Sequence, residues 1–571
     1  METSRDASTS RASGAGGRSG EPKASFLRQQ ELAIEDAARA GCPCGDPLRN
    51  DAGSGAGRHM NGSRVVNRSH HVLIALVLAI AVGASFWRLG MGSLHDWDEA
   101  IYAQVAKEMN ATGDWLQPHY EYKPWVDKPP LLMWSTALLF HLFGVHEFWA
   151  RAASALAGAV VIVLTFLIAA ALFDRRTGLM SAVILATTFE FLKYARRGMT
   201  DAPLTMFVLL AVYGYIRVME GEPRWWYGVC GACALAVMVK SLAALIAPAA
   251  MLLVLLSGTP GARGVLRSTH LFLGLAGALL IAAPWHALMA AHYGPTFWSH
   301  YFGFHVAHAL SVVQGNSGDQ RFYLRVLAGG MFPWVYLLPF AVSLAVQENL
   351  MGRYRSLILL AVILVVFGLY QFSRTKLPYY IMPALPPLAI LTGRLIASAT
   401  RSPDASSLSG VLIAAVTAGA LARNPLVGLL LLCALAALFV LSVRKTLDAR
   451  VVSASAFLVL LALGLRSVSP LYREGASPVA SLAAAASRNA ADREPLIVFS
   501  GLYRPAALFY SGRPIFEART WGDIGSFADR TPRRIIMAKG DLASKPAGYA
   551  ISVEAEAGDL IYGWVSHARA R

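Results

Sequence analysis

The sequence predicts a mainly α-helical, polytopic membrane protein: about thirteen transmembrane helices, short juxtamembrane helices on the outer face and a small α/β domain at the C-terminus. Three observations carry this. Of 571 residues, 55% are hydrophobic and only 15% are charged, too little polar surface for a soluble chain of this length. Apolar runs of roughly 16 to 22 residues, each near the length that crosses a bilayer of about 30 Å, recur along the chain. Beyond residue 467 the composition shifts to short, strand-like apolar runs separated by turn residues.

Residues 1–68 are rich in Gly, Ser, Ala and Arg and show no hydrophobic period, which predicts a disordered leader. It lacks the apolar core of a signal peptide. Met60, followed by "NGSRVVNRSHHVLIAL", is an alternative start that would leave residues 1–59 untranslated.

The spanning region, 69–466, carries apolar runs near 72–88, 152–173, 177–193, 202–219, 225–240, 242–257, 270–289, 326–346, 356–373, 377–397, 408–422, 425–443 and 451–466. Alternate loops hold Arg64 and Arg68, Arg175 and Arg176, Arg217 and Arg224, Arg263 and Arg267, Arg353 and Arg355, Arg401, and Arg444, Lys445 and Arg450. By the positive-inside rule these loops and the leader are cytoplasmic, and the C-terminus is outside. The net charge of +16 is thus spent on membrane orientation, and nucleic acid is not expected as a partner. Cys42 and Cys44 fall in the leader and Cys230, Cys233 and Cys433 in apolar segments, which excludes a disulfide framework and a cysteine metal cluster.

Two outer loops, 88–151 and 290–325, are long enough to be functional rather than connective. In the first, "PPLLMWSTALLFHLFG" (Pro129–Gly144) is too short to span and reads as a juxtamembrane or re-entrant helix. "DEAIYAQVAKEM" sets Ile101, Val105 and Met109 on one face of a helix lying along the membrane surface. In the C-terminal region, 467–571, "PLIVFS" (495–500) and "RRIIMAK" (533–539) read as strands.

Ionisable groups near hydrocarbon depth are expensive, so they mark functional candidates. The outer side holds Asp98, Glu99, Asp127, Lys128, Glu190, Lys193, Arg196, Arg197, Asp201, Lys240, His305, His308, Arg321, Arg325, Arg374 and Lys376. So many cations against the positive-inside trend ask for an anionic ligand. Asp98 and Glu99 suit a helix N-terminus, or a base beside an apolar wall. Lys128, before Pro129 and Pro130, either snorkels or grips a lipid-borne phosphate. Asp201, before Pro203, would serve as a helix start even without a further role. "SRTKLPYYIMPALPPLAIL" joins Arg374, Lys376, Tyr379 and Tyr380 to a proline-broken span, tolerated where it lines a cavity; an interfacial tyrosine belt would read alike. His305 and His308, at i and i+3 with Asp127 as a third ligand, are the candidates for a divalent metal, on weak spacing.

At these residues the chain resembles a known family. "DWDEAIYAQVAKEMNATGDW", then "KPP", "TDAPLTMF", "FWSHYFGFH" and "KLPYYIMPALPPLAIL", in that order, resemble the bacterial aminoarabinose transferase branch of the GT-C glycosyltransferases, related to the protein O-mannosyltransferases. The similarity runs from about Trp97 to Leu391. The resemblance implies a multi-pass enzyme of the bacterial inner membrane, with its active site and C-terminal domain on the periplasmic face. It would move a sugar from a polyprenyl-phosphate carrier to lipid A or another envelope lipid or glycan. It makes Asp98 the catalytic carboxylate, Glu99 a supporting acid, Lys128 a phosphate ligand and Asp201 a second outer acid. Arg321, Arg374, Lys376, Tyr379 and Tyr380 would complete the substrate site. Two departures, Ile101 where such relatives often have arginine and His305-Val306 near their Glu-His pair, bear on the substrates rather than on the reaction class. A protein O-mannosyltransferase acting on Ser or Thr shares the mechanism. A transporter would also use intramembrane acids and broken helices, but here the charges crowd the outer face and no inverted repeat is evident.

Overall fold

The structure, a computed structural model, describes residues 59–262, 264–311, 318–399, 449–473, 475–488, 494–499, 505–528 and 532–567. The rest of the leader and the spans expected at 408–422 and 425–443 lie outside the described residues. The chain divides into two compact units, Met1–Arg68 and Ser69–Arg571; the architecture below is that of the second.

Helices follow one another in the order the hydrophobic runs predict. After α1 (His59–Phe86) come α2 (Asp98–Thr112), the hairpin β1 (His119–Tyr120) and β2 (Lys123–Pro124), then α3 (Leu131–Phe143), α4 (Glu147–Leu172), α5 (Arg175–Ala186), α6 (Phe189–Ala195) and α7 (Asp201–Met219). They continue with α8 (Trp225–Lys240), α9 (Ile246–Leu256), α10 (Thr269–Tyr293), α11 (Pro295–Leu310), α12 (Phe322–Gly330), α13 (Leu338–Leu350), α14 (Leu357–Phe372), α15 (Leu385–Ala399) and α16 (Ala449–Val468). Among the described residues, seven helical runs are long and apolar enough to cross a membrane, or nine if each of two bent pairs is one span.

One of the seven, Trp225–Leu256, is better read as two limbs. A straight helix of 32 residues would be about 48 Å long, and the roughly nine residues from Leu256 to Val265 could recover only about 31 Å. Yet the Trp226 indole donates to the carbonyl of Val265 at 3.2 Å. The chain therefore turns back at Lys240–Ser241, where φ is −153° and then 12°. Here the division between 240 and 242 follows the sequence expectation.

Two expected straight spans are corrected. The run 177–193 bends by 70° between α5 and α6. There the Thr187 and Thr188 hydroxyls bond back to carbonyls of the preceding turn, and the Trp334 indole donates to Thr187 at 3.0 Å, so the ladder ends in side-chain bonds. The run 326–346 bends by 115° after Gly330, where two glycines are followed by Pro333, which has no N–H to extend the helix.

The bundle core is closely packed on one side. α7 lies between α4 and α8, and α15 lies along α5. These seams depend on glycine: a Cβ at Gly158 would sit 2.6 Å from the Cβ of Ala195, and one at Gly393 would collide with Ser181. By contrast α10 buries only Gly274, Trp285 and Met289 and turns Phe272, Leu273, Leu279 and Leu280 outward.

The C-terminal region is a layered α/β domain. Its sheet has the order β4 (Ile515–Ala518), β3 (Leu496–Phe499), β5 (Arg533–Ala538), β7 (Leu560–His567), β6 (Tyr549–Ala557), parallel through the first three strands and antiparallel through the last three. All four β3 side chains are buried: Leu496 and Val498 pack toward α17 (Pro478–Arg488) and α18 (Pro505–Ser511), and Ile497 and Phe499 toward α19 (Trp521–Phe527). Burial on both faces is why "LIVF" is continuously apolar.

Candidate active site

Six of the ionisable residues singled out in the sequence, Asp98, Glu99, Asp127, Lys128, Arg197 and Lys240, meet in one cavity of about 350 Å3. Its floor begins at α2. The residue before that helix, Trp97, has φ 70° and ψ −130°, a conformation L-residues seldom adopt, and it delivers Asp98 to the first helical position. Asp98 Oδ2 accepts from the Tyr379 hydroxyl at 3.0 Å. Tyr379 stands in the short 3-10 segment Pro378–Ala384, where the proline pattern keeps the chain from continuing α14 as a straight helix.

Glu99 does a different job. Its Oε1 receives the Arg151 Nε at 2.7 Å and the Gly198 N–H at 3.2 Å, while Oε2 takes the His95 N–H at 2.7 Å. The same guanidinium donates to the carbonyls of Leu89, Met91, Gly92 and Ser93. Burial alone would raise the Glu99 carboxyl; the charge and hydrogen bond of Arg151 bring it below the usual value. Glu99 touches the cavity but chiefly pins the loop before Asp98.

Lys128 lines the same cavity. The Glu121–Tyr122 turn of the β1–β2 hairpin has φ 56° and 57°, and both N–H groups donate to the Glu108 carboxylate, at 3.0 and 2.9 Å. The chain leaves this turn through Trp125, whose ring lies 6.0 Å from that of Tyr102, to Asp127 and Lys128 and then Pro130 at the start of α3. Burial, followed by the like charge of Lys240, lowers Lys128 to about 8 against the pull of Asp98, Asp127 and Asp201. Lys240 pairs with Asp201 Oδ1 at 2.8 Å and lies 5.1 Å from the centre of the Tyr380 ring. It reaches the cavity because α8 ends there.

Of the residues singled out in the sequence, Asp98, Glu99, Asp127, Lys128, Arg197, Lys240, Tyr379 and Tyr380 line this cavity. Asp201 stands behind Lys240, 2% exposed. Lys376 does not line the cavity; its ammonium caps the end of α14, donating to the carbonyls of Gln371 at 2.5 Å and Ser373 at 2.8 Å. Arg374 and Arg321 are exposed and are not part of the lining either. The side chains of His305 and His308 lie outside the described residues, and among those described no group of three His, Cys, Asp or Glu is arranged to hold a metal. Tyr102, Trp125 and Tyr194 also belong to the lining, although nothing in the sequence assigned them a role. The surface-helix expectation for α2 is also corrected: Glu99, Tyr102, Gln104, Val105, Glu108 and Met109 are all buried, because α3 covers one side and α18 another.

Comparison with known proteins follows this geometry. Residues 127–287 match the family described as dolichyl-phosphate-mannose-protein mannosyltransferase, a stretch that includes Lys128, Asp201 and Lys240. The chain is 31% identical over 345 residues to the undecaprenyl phosphate-alpha-4-amino-4-deoxy-L-arabinose arabinosyl transferase 1 of Pseudomonas fluorescens, covering 57% of this chain and 61% of that one. It is 30% identical over 383 residues to the corresponding transferase of Pseudomonas aeruginosa, covering 65% and 66%. The chain thus spans a little under two thirds of these relatives. The crystal structure of ArnT from Cupriavidus metallidurans bound to undecaprenyl phosphate superimposes with a TM-score of 0.65 at 21% identity, over 86% of this chain and 98% of that one. The chain has the GT-C fold. It resembles the aminoarabinose transferases in sequence, and the same GT-C arrangement extends to the apo oligosaccharyltransferase of Archaeoglobus fulgidus, with a TM-score of 0.53 at 12% identity over 82% of this chain and 69% of that one.

Proposed function

We propose that this chain is a membrane glycosyltransferase that takes a sugar from a polyprenyl-phosphate carrier and passes it to an acceptor in the outer leaflet, lipid A or another envelope lipid or glycan. The observation that carries the reading is that Asp98 and the buried Lys128 line one cavity, close enough for the carboxylate to act on the ammonium's charge. A carboxylate held by a phenol can orient an acceptor hydroxyl and take its proton. A buried ammonium in the same cavity can hold the phosphate that departs. The acceptor oxygen attacks the anomeric carbon, the bond from that carbon to the phosphate oxygen breaks, and the phosphate leaves with the electron pair; a single displacement inverts the centre. An acceptor that is itself a phosphate needs no strong base, and Asp98 then positions it.

The reading includes a topology: about thirteen spans in a bacterial inner membrane, the leader 1–68 in the cytoplasm, the bundle 69–466, and the cavity and the domain 467–571 in the periplasm. The charge alternation of the loops supports it. Arg321, Arg374, Tyr379 and Tyr380 remain assigned to substrate, the two exposed arginines from outside the cavity's lining; a divalent metal, if used, falls to Asp127, His305 and His308.

The test is incubation of the purified chain with candidate polyprenyl-phosphate sugars and total membrane lipids, with products identified by mass. A sugar increment on a lipid supports the reading. Unchanged lipid with glycosylated protein would favour the O-mannosyltransferase alternative, and substrate uptake into proteoliposomes without transfer would favour a transporter. Cysteine labelling that put positions 98 and 128 on opposite sides of the membrane would end it.

A further inference from the structure

The loop that delivers Asp98, Ser93–Trp97, is held from two sides. From the bundle, Arg151 donates to the Ser93 carbonyl at 2.7 Å and Glu99 takes the His95 N–H at 2.7 Å. From the C-terminal domain, Ser477 N–H donates to Ser93 Oγ at 2.7 Å, Ala506 N–H donates to Asp96 Oδ1 at 3.2 Å, and the Tyr510 hydroxyl accepts the Leu94 N–H at 2.8 Å. That hydroxyl passes its own proton toward Glu147 Oε1 at 2.9 Å, so it closes a relay from the loop to the first turn of α4. Burial keeps the phenol protonated, its pKa raised.

The same helix of the domain fixes α2. Lys107 donates to the Phe509 carbonyl at 2.7 Å, and Ala506 and Phe509 share one apolar cluster with Leu94, Ala100, Tyr102 and Ala103. A strained residue such as Trp97 persists only where its surroundings fix it from several sides, and part of that constraint comes from residues more than 400 positions away in the chain.

We infer that Tyr510 is a positioning residue for Asp98, and that the C-terminal domain completes the active site by clamping the loop in front of the carboxylate. This rests on the glycosyltransferase reading for its kinetic consequence, but not for its structural one.

The experiment uses the full chain in nanodiscs, comparing wild type with Tyr510→Phe and with the milder Ser93→Ala. Hydrogen exchange is followed in the peptide covering Leu94–Asp98, with a peptide from α7 as the control. Turnover is normalised to polyprenyl-phosphate binding sites, so that unfolded protein does not count. Tyr510→Phe is expected to speed exchange at Leu94–Asp98 at least tenfold while α7 stays unchanged. It should lower kcat per binding site about tenfold with the donor KM within twofold, and Ser93→Ala should act in the same direction with a smaller effect. Wild-type exchange in both variants would overturn the clamp. Faster exchange with kcat per site intact would overturn the positioning role. If wild type transfers no sugar at all, the glycosyltransferase reading fails and the exchange result still decides the clamp.

Discussion

The hydroxyl of Tyr379 and the carboxylate of Asp98 meet at 3.0 Å across 281 positions of sequence. The bond joins the start of α2 to the proline-broken segment before α15, and under the proposed function the other carboxylate oxygen, Oδ1, would serve the acceptor. Asp98→Asn is therefore expected to abolish transfer, by about 100-fold or more, with expression and melting temperature unchanged. Tyr379→Phe, which removes one charge-assisted bond, should cost roughly 10- to 100-fold in kcat. Near-native turnover of purified Asp98→Asn would remove it from the chemistry.

Lys128 sets an alkaline limit. With its ammonium lowered to about 8, the free enzyme holds the positive charge below that pH and loses it above. kcat/KM for the donor should be level up to about pH 8 and then fall about tenfold per pH unit. Lys128→Arg, charged throughout, should flatten that limb even if its maximum is lower. An unchanged alkaline limb in the arginine variant would assign the titration elsewhere.

Lys240 and Asp201 are buried together, 9% and 2% exposed at their side chains. Removing one partner leaves a buried charge, so Lys240→Met should destabilise the chain by about 3–5 kcal/mol. Adding Asp201→Leu should recover most of that loss in a detergent melt but none of the transfer activity. Recovery of activity in the double variant would make the pair purely structural.

Glu99 and Asp98 are neighbours with opposite expectations. Glu99→Ala strands the Arg151 guanidinium, 5% exposed, and should lower protein yield and melting temperature, again by about 3–5 kcal/mol. Asp98→Ala should leave both near wild type. Equal melting temperatures for the two variants would contradict the division of labour seen in the cavity.

Much of the site could be read from the sequence because a charge at the mouth of an apolar run is conspicuous, as Asp98 and Lys128 are, and because Tyr379 and Tyr380 open a proline-broken run; all four line one cavity. Lys240 is equally visible as a charge, but its partner lies 39 residues away on a neighbouring helix, and no local pattern encodes that pairing. Lys376 misleads for the converse reason, since a cation after an apolar helix caps carbonyls as readily as it binds a phosphate. α2 shows an amphipathic spacing but is covered by α18, some 400 residues later, and by the β1–β2 hairpin, whose turn N–H groups meet Glu108, so its apparent polar face holds the buried Gln104 and Glu108. Among the strands, β3 and β5 are legible as apolar runs; β6 alternates half-buried and exposed residues at the sheet edge and carries no comparable signal.

The glycine seams described above decide where the bundle can yield. At Gly158 and Gly393 the helices close onto the small side chains of Ala195 and Ser181, which have little room to rearrange, so this half resists prying apart. α10, which has 11% of its apolar window buried, meets the bundle mainly along α8, where Gly274 lies close against Trp226 and Cys230. On the proposed function, the rest of its outward apolar surface, Phe272, Leu273, Leu279 and Leu280, is where an isoprenoid tail would lie, and a charge placed there should weaken loading of the carrier while leaving the cavity's own bonds intact.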